Sequence, residues 1–517
     1  MRYPIGTQSY EKIRQEGFVY VDKTALVYDL VQENVCFLSR PRRFGKSLLI
    51  STLDAYFSGR KDLFEGLAIM QYEKDWVKYP VFRIDFSNGH YSKPDELENF
   101  LEENLCKWEQ IYGKDATWKT FGGRFANVLR LAYEKTGHKA VVLIDEYDQP
   151  MLDVLGTVQE QENRSLLKSF YSTFKAADDS LRFVLLTGVT KFSQITVFSG
   201  FNQPNDISMD SHYDSLCGIT EAELWKVFEE PIREFAEESD CTVEEMKAQL
   251  KAQYDGYHFS KKMLDIYNPF SVLYALSKKS LDDYWYASGT PTYLAKLIDG
   301  HNVNMQKLTS RRYESQYFMN YRLDAEDPLA MLYQSGYLTI TGYDAYYKEY
   351  ALDFPNEEVR RGFVLLIANG YFRMSERDTG IWIKDLDRML RRGDLDSVRD
   401  AFTSFLASIP YEANKDVRAL DFETHYQYTF YLINRLLSCY TTLIEKQNSR
   451  GRADVIIETK EHIYIFEFKL DGSVDEALKQ IEEKQYALPY LTDPRQLHKI
   501  GVNISSETRT VAEWVNS

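Results

Sequence analysis

SRPRRFGKSLL, residues 39–49, is the stretch on which the reading of this chain turns. A phosphate-binding loop of the pattern G-x-x-x-x-G-K-[ST] requires glycine where Arg40 stands, and Arg42 and Arg43 fill the loop's interior. The stretch is therefore either a working nucleotide site of modified kind or a basic turn that contains Gly-Lys-Ser. Its setting favours the first. An apolar strand-like run, VCFLS (35–39), precedes it, and the helical stretch LLISTLDAYF follows Ser47. That strand–loop–helix context gives the motif its chemistry: backbone N–H groups and a helix N-terminus face phosphates, the lysine reaches the β- and γ-phosphates, and the hydroxyl meets Mg²⁺. Loss of the first glycine costs backbone freedom at the loop's start, but that position is not the one that meets the γ-phosphate.

A second signal stands about 100 residues downstream, in VVLIDEYDQP (141–150), an apolar strand ending in Asp145-Glu146. An aspartate there can hold Mg²⁺ through water, and the following glutamate can orient or deprotonate an attacking water. Short apolar runs at 35–39, 81–86, 140–144 and 182–187, separated by helical stretches, predict buried parallel strands joined by crossovers. Residues 1–215 are expected to form an α/β ATPase core.

The chain has 517 residues, 44% of them hydrophobic and 15% aromatic, enough for ordinary cores in two to four domains. Its net charge of −16 argues against indiscriminate nucleic-acid binding but not against a local basic groove. No apolar run reaches the roughly 18 residues a membrane span needs, and MRYPIGTQSY lacks a signal-peptide core. Five scattered cysteines and eight scattered histidines suggest neither a disulfide framework nor a zinc site. A cytoplasmic protein without membrane contact is the expectation.

From residue 216 to 375 the pattern turns helical. Thr220 and Glu223 have capping-box spacing at the head of TEAELWKVFEEPIREFAEE. Residues 327–363 then read as helix, strand, turn, strand, helix, the order of a winged-helix module, which either touches DNA or packs between domains. Residues 376–517 form a further α/β domain, with helices in 375–409 and 421–445 and a hairpin in GRADVIIETKEHIYIFEFKL. There Asp454 and Glu467-Phe468-Lys469 make the pattern D-x(12)-E-x-K. If the hairpin turns at Lys460-Glu461, Glu458 faces Ile463 and Asp454 faces Glu467, opposed residues lying about 5 Å apart on one face. Lys469, two residues on, joins that face. Such an arrangement suits a divalent metal held by Asp454 and Glu467, with Lys469 near the attacking water or the phosphate.

The chain resembles bacterial AAA-ATPase-like proteins whose phosphate loop reads RPRRFGKS. It shares their IDEYD, a T-G-V-x-K-F-S segment within TGVTKFSQITVFSGFNQPNDIS (187–208), YDGYHFS (254–260) and YNPFSVLYAL (267–276). The resemblance implies that arginine at position 40 is normal for the group. It also implies an ATP site in which Gly45, Lys46, Ser47, Asp145 and Glu146 act as Walker-type residues, with Thr187 in a polar sensor role. Lys191 is a candidate for the γ-phosphate, and Arg42 and Arg43 are candidates either for clamping phosphate or for salt-bridging acids such as Asp148. The C-terminal domain resembles the PD-(D/E)xK nuclease superfamily. On that likeness Glu423 matches an extra acid, Gln480 a polar position near the phosphate, and Ala453-Asp454 a reduced Pro-Asp that keeps the metal ligand.

The expected architecture is thus α/β: a P-loop AAA-like core, a helical and winged-helix middle region, and a nuclease-like domain. The expected function is an ATP-binding and hydrolysing protein coupled to a Mg²⁺- or Mn²⁺-dependent nuclease acting on nucleic acid, DNA first. The alternative is a nucleotide-gated signalling or assembly NTPase whose nuclease-like domain only binds nucleic acid or a partner. A homo-oligomer would fit, because AAA-like ATPases often supply an arginine in trans; Arg182 and Arg233 are the positions considered.

Overall fold

The computed structural model describes residues 1–192, 204–288, 308–309, 311–320, 328–372, 375–408, 433, 437, 447–448, 451–452, 455–508 and 510–517. The helix expected over 421–445 lies, but for two residues, outside them, as do Glu423 and Asp454. The chain divides into two compact units, Met1–Val359 and Arg360–Ser517.

The first unit is built on a parallel sheet of β1 (Val35–Ser39), β2 (Val81–Asp85), β3 (Ala140–Asp145), β4 (Leu181–Gly188) and β5 (Asn205–Asp206). These are the apolar runs expected from the sequence, with β5 added. The order across the sheet is β2-β3-β4-β1-β5, so β4 lies between the strand that feeds the phosphate loop and the strand that ends in Asp-Glu. In-register pairing of Ser39 with Gly188 and of Asp85 with Asp145 aligns the carboxyl ends of the strands at one edge. Ligands of open α/β sheets bind at that edge. All six residues of β3 are buried, which explains why AVVLI reads as a continuous apolar run without alternation. Helix α1 (Lys46–Phe57) begins directly after Gly45, whose φ of 95° lies in the left-handed region that glycine enters without strain.

Beyond the sheet, α2 (Glu221–Glu238) opens on the expected capping box of Thr220 and Glu223, and α3 (Pro269–Lys278) on an Asn268 cap. The winged-helix order appears as α4 (Leu329–Ser335), β7 (Thr339–Asp344) and β8 (Glu349–Asp353), followed by the helix Glu357–Phe372. A third strand, β6 (Arg312–Glu314), joins them in the order β6-β8-β7. Helix α4 occupies the place of a groove-reading helix, yet all seven of its residues are buried. Its surface is spent on packing inside the first unit.

The second unit holds β9 (Val455–Glu458), β10 (His462–Leu470), β11 (Gln496–Ile504) and β12 (Val511–Asn516), in that order across one sheet. The β9–β10 hairpin has the expected register, Val455 opposite Phe466 and Glu458 opposite Ile463. Helix α5 (Val474–Glu483) lays Ile481 on Ile456, Ile463 and Ile465. A Cβ on Gly501 would meet the Val474 carbonyl at 2.8 Å, so only glycine lets α5 approach β11 this closely.

Candidate nucleotide site and C-terminal carboxylate site

At the carboxyl edge of the first sheet a cleft of about 410 Å³ is lined by Arg42, Arg43, Gly45, Lys46, Ser47 and Glu146. Six of the expected site residues therefore meet in one place. Asp145 and Thr187, from the neighbouring strand ends, are joined by a hydrogen bond of 2.6 Å from Thr187 Oγ1 to Asp145 Oδ1. The same Asp145 oxygen accepts from the Glu146 amide. Asp145 Oδ2 is buried and has no hydrogen-bond partner among the described residues. An unsatisfied buried carboxylate oxygen is costly unless something else meets it, and a divalent cation beside Ser47 would do so.

Lys46 is buried, and its ammonium donates to the carbonyls of Arg40 (2.9 Å) and Pro41 (3.0 Å). Burial pulls its pKa down, while Glu146, Asp145 and Asp148 support its charge. Glu146 has φ of 49°. Left-handed backbone costs a non-glycine residue on the order of 1 kcal/mol and is concentrated at functional sites. Burial raises the Glu146 pKa, against the opposing pull of Lys46.

Asp148 is fully enclosed, and its Oδ2 accepts from the Val189 amide, the Thr190 amide and Thr190 Oγ1. Tyr147 donates to the Thr190 carbonyl. The second half of IDEYD thus fastens the segment after β4 to the strand carrying Asp145. Lys191, a γ-phosphate candidate from the sequence, has its ammonium on Asp206 at 2.5 Å, and its amide donates to Gln334 of α4. Arg182 donates to the carbonyls of Val31 and Glu33, and Arg233 pairs with Glu229 on an exposed helix face.

Sequence reasoning missed several walls of the cleft: the amino-terminal turn Pro4–Gln8, Ser87, Gln149, and Pro269, Phe270 and Leu273 of α3. The YNPFSVLYAL motif was the available signal for α3. Phe270 lies 4.9 Å beneath the Arg43 guanidinium, so one loop arginine is steadied by an aromatic face.

The loop's Arg42 carbonyl accepts from the Trp285 indole at 3.2 Å, and the Trp285 amide donates to Glu358 at 2.5 Å. Glu358 is buried and also accepts from Ser271. Burial pushes its pKa from 4.5 up to about 8. The unfolded chain releases this proton near the ordinary value, whereas the folded chain keeps it, so stability falls as pH rises between the two. The loss is at most about 5 kcal/mol across that window. Glu358→Gln should therefore melt higher than wild type at pH 8.5 and show no such gain at pH 5; an equal difference at both pH values would contradict the assignment.

In the second unit, Glu467 is buried, and Lys469 Nζ stands 3.5 Å from its Oε1. Gln480, in the second turn of α5, accepts from the same ammonium at 2.6 Å. Three of the five residues expected here meet at the Lys469 ammonium, Glu467 and Lys469 from β10 and Gln480 from α5, and Asp454 and Glu423 lie outside the described residues. Among the described residues no group of three or more His, Cys, Asp or Glu is placed to hold a metal. No described helix is long and apolar enough to cross a membrane.

A parallel sheet with a phosphate loop, an Asp-Glu strand and a strand between them defines an AAA-like P-loop ATPase core. Strand, strand and helix carrying E-x-K define a nuclease-type domain. The comparisons agree: the profile of a predicted AAA-ATPase family matches residues 4–198, and that of the PD-(D/E)XK nuclease superfamily matches residues 421–514. A protein of Azotobacter chroococcum mcd 1, described as an uncharacterized protein in the vnfD 5'region, is 33% identical over 525 residues, covering 99% of this chain and 98% of its own. The chain belongs to the family of predicted AAA-ATPase-like proteins that carry a C-terminal PD-(D/E)XK nuclease superfamily domain.

Proposed function

We propose that this protein binds and hydrolyses ATP in the cleft of its first unit, and that its second unit cleaves phosphodiester bonds in nucleic acid, DNA first. The observation that carries the ATPase half is Lys46, parked on its own loop's carbonyls, together with a buried Asp145 that has one oxygen unmet among the described residues. Lys46 exchanges the Arg40 and Pro41 carbonyls for the β- and γ-phosphate oxygens. Ser47 and Asp145 would hold Mg²⁺, which supplies positive charge to the phosphates. Thr187 keeps Asp145 in its rotamer, and Glu146 accepts the proton of the attacking water. Arg42 and Arg43 face the same cleft and add positive charge along it.

In the second unit Asp454 and Glu467 would hold a divalent metal, Mg²⁺ or Mn²⁺, whose charge activates water and offsets the phosphate. Lys469, aimed by Gln480, brings a further positive charge to that face; Glu423 completes the acid set. The test is cleavage of plasmid or single-stranded DNA by the full chain in Mg²⁺ or Mn²⁺, with and without ATP. Inertness across all of these substrates would refute the nuclease half. A second reading is an ATP-gated assembly protein whose nuclease-type domain binds without cutting; the Lys191 amide bond to Gln334 would pass the nucleotide state from the segment after β4 to α4 within the first unit. Nucleic-acid binding without cleavage in that assay would select it.

A further inference from the structure

The loop residue that breaks the usual pattern is deeply built in. Arg40 is 1% exposed. Its amide donates to the Gly188 carbonyl at the end of β4. Its guanidinium donates to the carbonyls of Ser39 (3.0 Å), Ser208 (2.8 Å) and Tyr213 (3.2 Å), and lies 4.0 Å over the ring of Phe259. Its own carbonyl is one of the two that hold Lys46. One residue thus runs from the YDGYHFS segment to the phosphate-binding lysine.

Its neighbours are gripped from the same side. Pro41 packs on Gly336, where φ is +90° and an added Cβ would stand 2.7 Å from the Pro41 Cβ. Phe44 is buried edge-on against Tyr257 at 4.7 Å and Phe259 at 5.5 Å, and its carbonyl accepts from Gly218. The Trp285 indole holds the Arg42 carbonyl. Every residue from Arg40 to Phe44 therefore has a partner beyond residue 200.

On the reading that the cleft binds ATP, we infer that Arg40 is a positioning residue for phosphate binding: its guanidinium, fixed by three carbonyls and Phe259, sets the carbonyl from which Lys46 reaches the phosphates. A loop of the usual kind takes its shape from glycine's backbone freedom; this one keeps that freedom at Gly45 and is otherwise held by outside contacts. The consequence runs against the motif. Restoring the standard glycine with Arg40→Gly removes the grip and weakens the site.

The test measures MgATP and inorganic tripolyphosphate binding to the full chain by calorimetry, well below each variant's melting temperature. Arg40→Gly is expected to raise both dissociation constants about tenfold or more, and Arg40→Lys, which keeps charge and one donor direction, to recover part of that loss. Phe259→Leu should weaken both ligands less, and its effect should largely vanish in the Arg40→Gly background, because the ring acts through the guanidinium. Folded Arg40→Gly with wild-type affinity for both ligands, or Phe259→Leu effects that add in full, would overturn the inference. Should Arg40→Gly fail to fold, Arg40→Lys and Phe259→Leu decide: wild-type affinity in both overturns it, weakened binding in both supports it. Wild type that binds neither ligand would refute the ATP reading itself, and this inference with it.

Discussion

Glu146→Gln should leave MgATP bound and cut steady-state hydrolysis by about a hundredfold or more, the usual worth of a positioned general base. Glu146 follows a strand whose six residues are all buried, so the turn that carries it is fixed at one end by β3. At the other end Tyr147 and Asp148 are fastened to Thr190 and Val189. Between these anchors Glu146 is held in a left-handed conformation on the cleft wall, alongside Lys46 and Ser47. Glutamine keeps the shape and the hydrogen-bonding reach but cannot take a proton. Phosphate release should collapse while binding persists. Hydrolysis within threefold of wild type would remove Glu146 from the reaction and leave it a structural role.

Lys469→Ala should abolish metal-dependent cleavage, lowering it by about a hundredfold or more. Lys469 stands 3.5 Å from the buried Glu467 carboxylate and is held at 2.6 Å by Gln480. Removing it takes away both the charge offered to the phosphate and the partner of a buried carboxylate, and the second loss alone costs stability. Gln480→Leu separates the two effects. It leaves Lys469 and Glu467 in place but frees the ammonium to swing, so cleavage should fall less than in Lys469→Ala while the melting temperature stays closer to wild type. Equal cleavage in wild type and Lys469→Ala, measured at matched folded fractions, would assign the site to binding.

Much of this was legible in the sequence, for physical reasons. Strands buried on both faces do not alternate, so 35–39, 140–144 and 182–187 stood out as apolar runs; 81–86 also became a strand, but at the sheet edge, where Val81–Asp85 alternates between buried and half-buried residues. The hairpin register was legible because its turn and its apolar residues admit one pairing, and Val455 does face Phe466. The strand order was not readable, since four similar parallel strands leave their neighbours open. Strand β6 went unseen: its three residues, Arg312, Tyr313 and Glu314, have too little apolar pattern to announce a strand.

The inward turn of α4 was equally hidden. A winged-helix order says which elements occur, not which face is covered, and LAMLYQS is short enough to serve either use. Arg40 was the largest gap. Its partners at Ser208, Tyr213 and Phe259 lie far along the chain, so spacing alone could only mark the residue as a departure from the motif. The same holds for Lys191, whose pairing with Asp206 depends on where β5 joins the sheet.

On the function proposed here, SRPRRFGKSLL is a working phosphate loop despite its arginine. Equilibrium titration of MgATP into wild type and Lys46→Ala, at equal folded fraction, tests it most directly. Wild type is expected to bind saturably and Lys46→Ala to lose that binding. Equal affinity in the two proteins, or no binding by wild type, would contradict it.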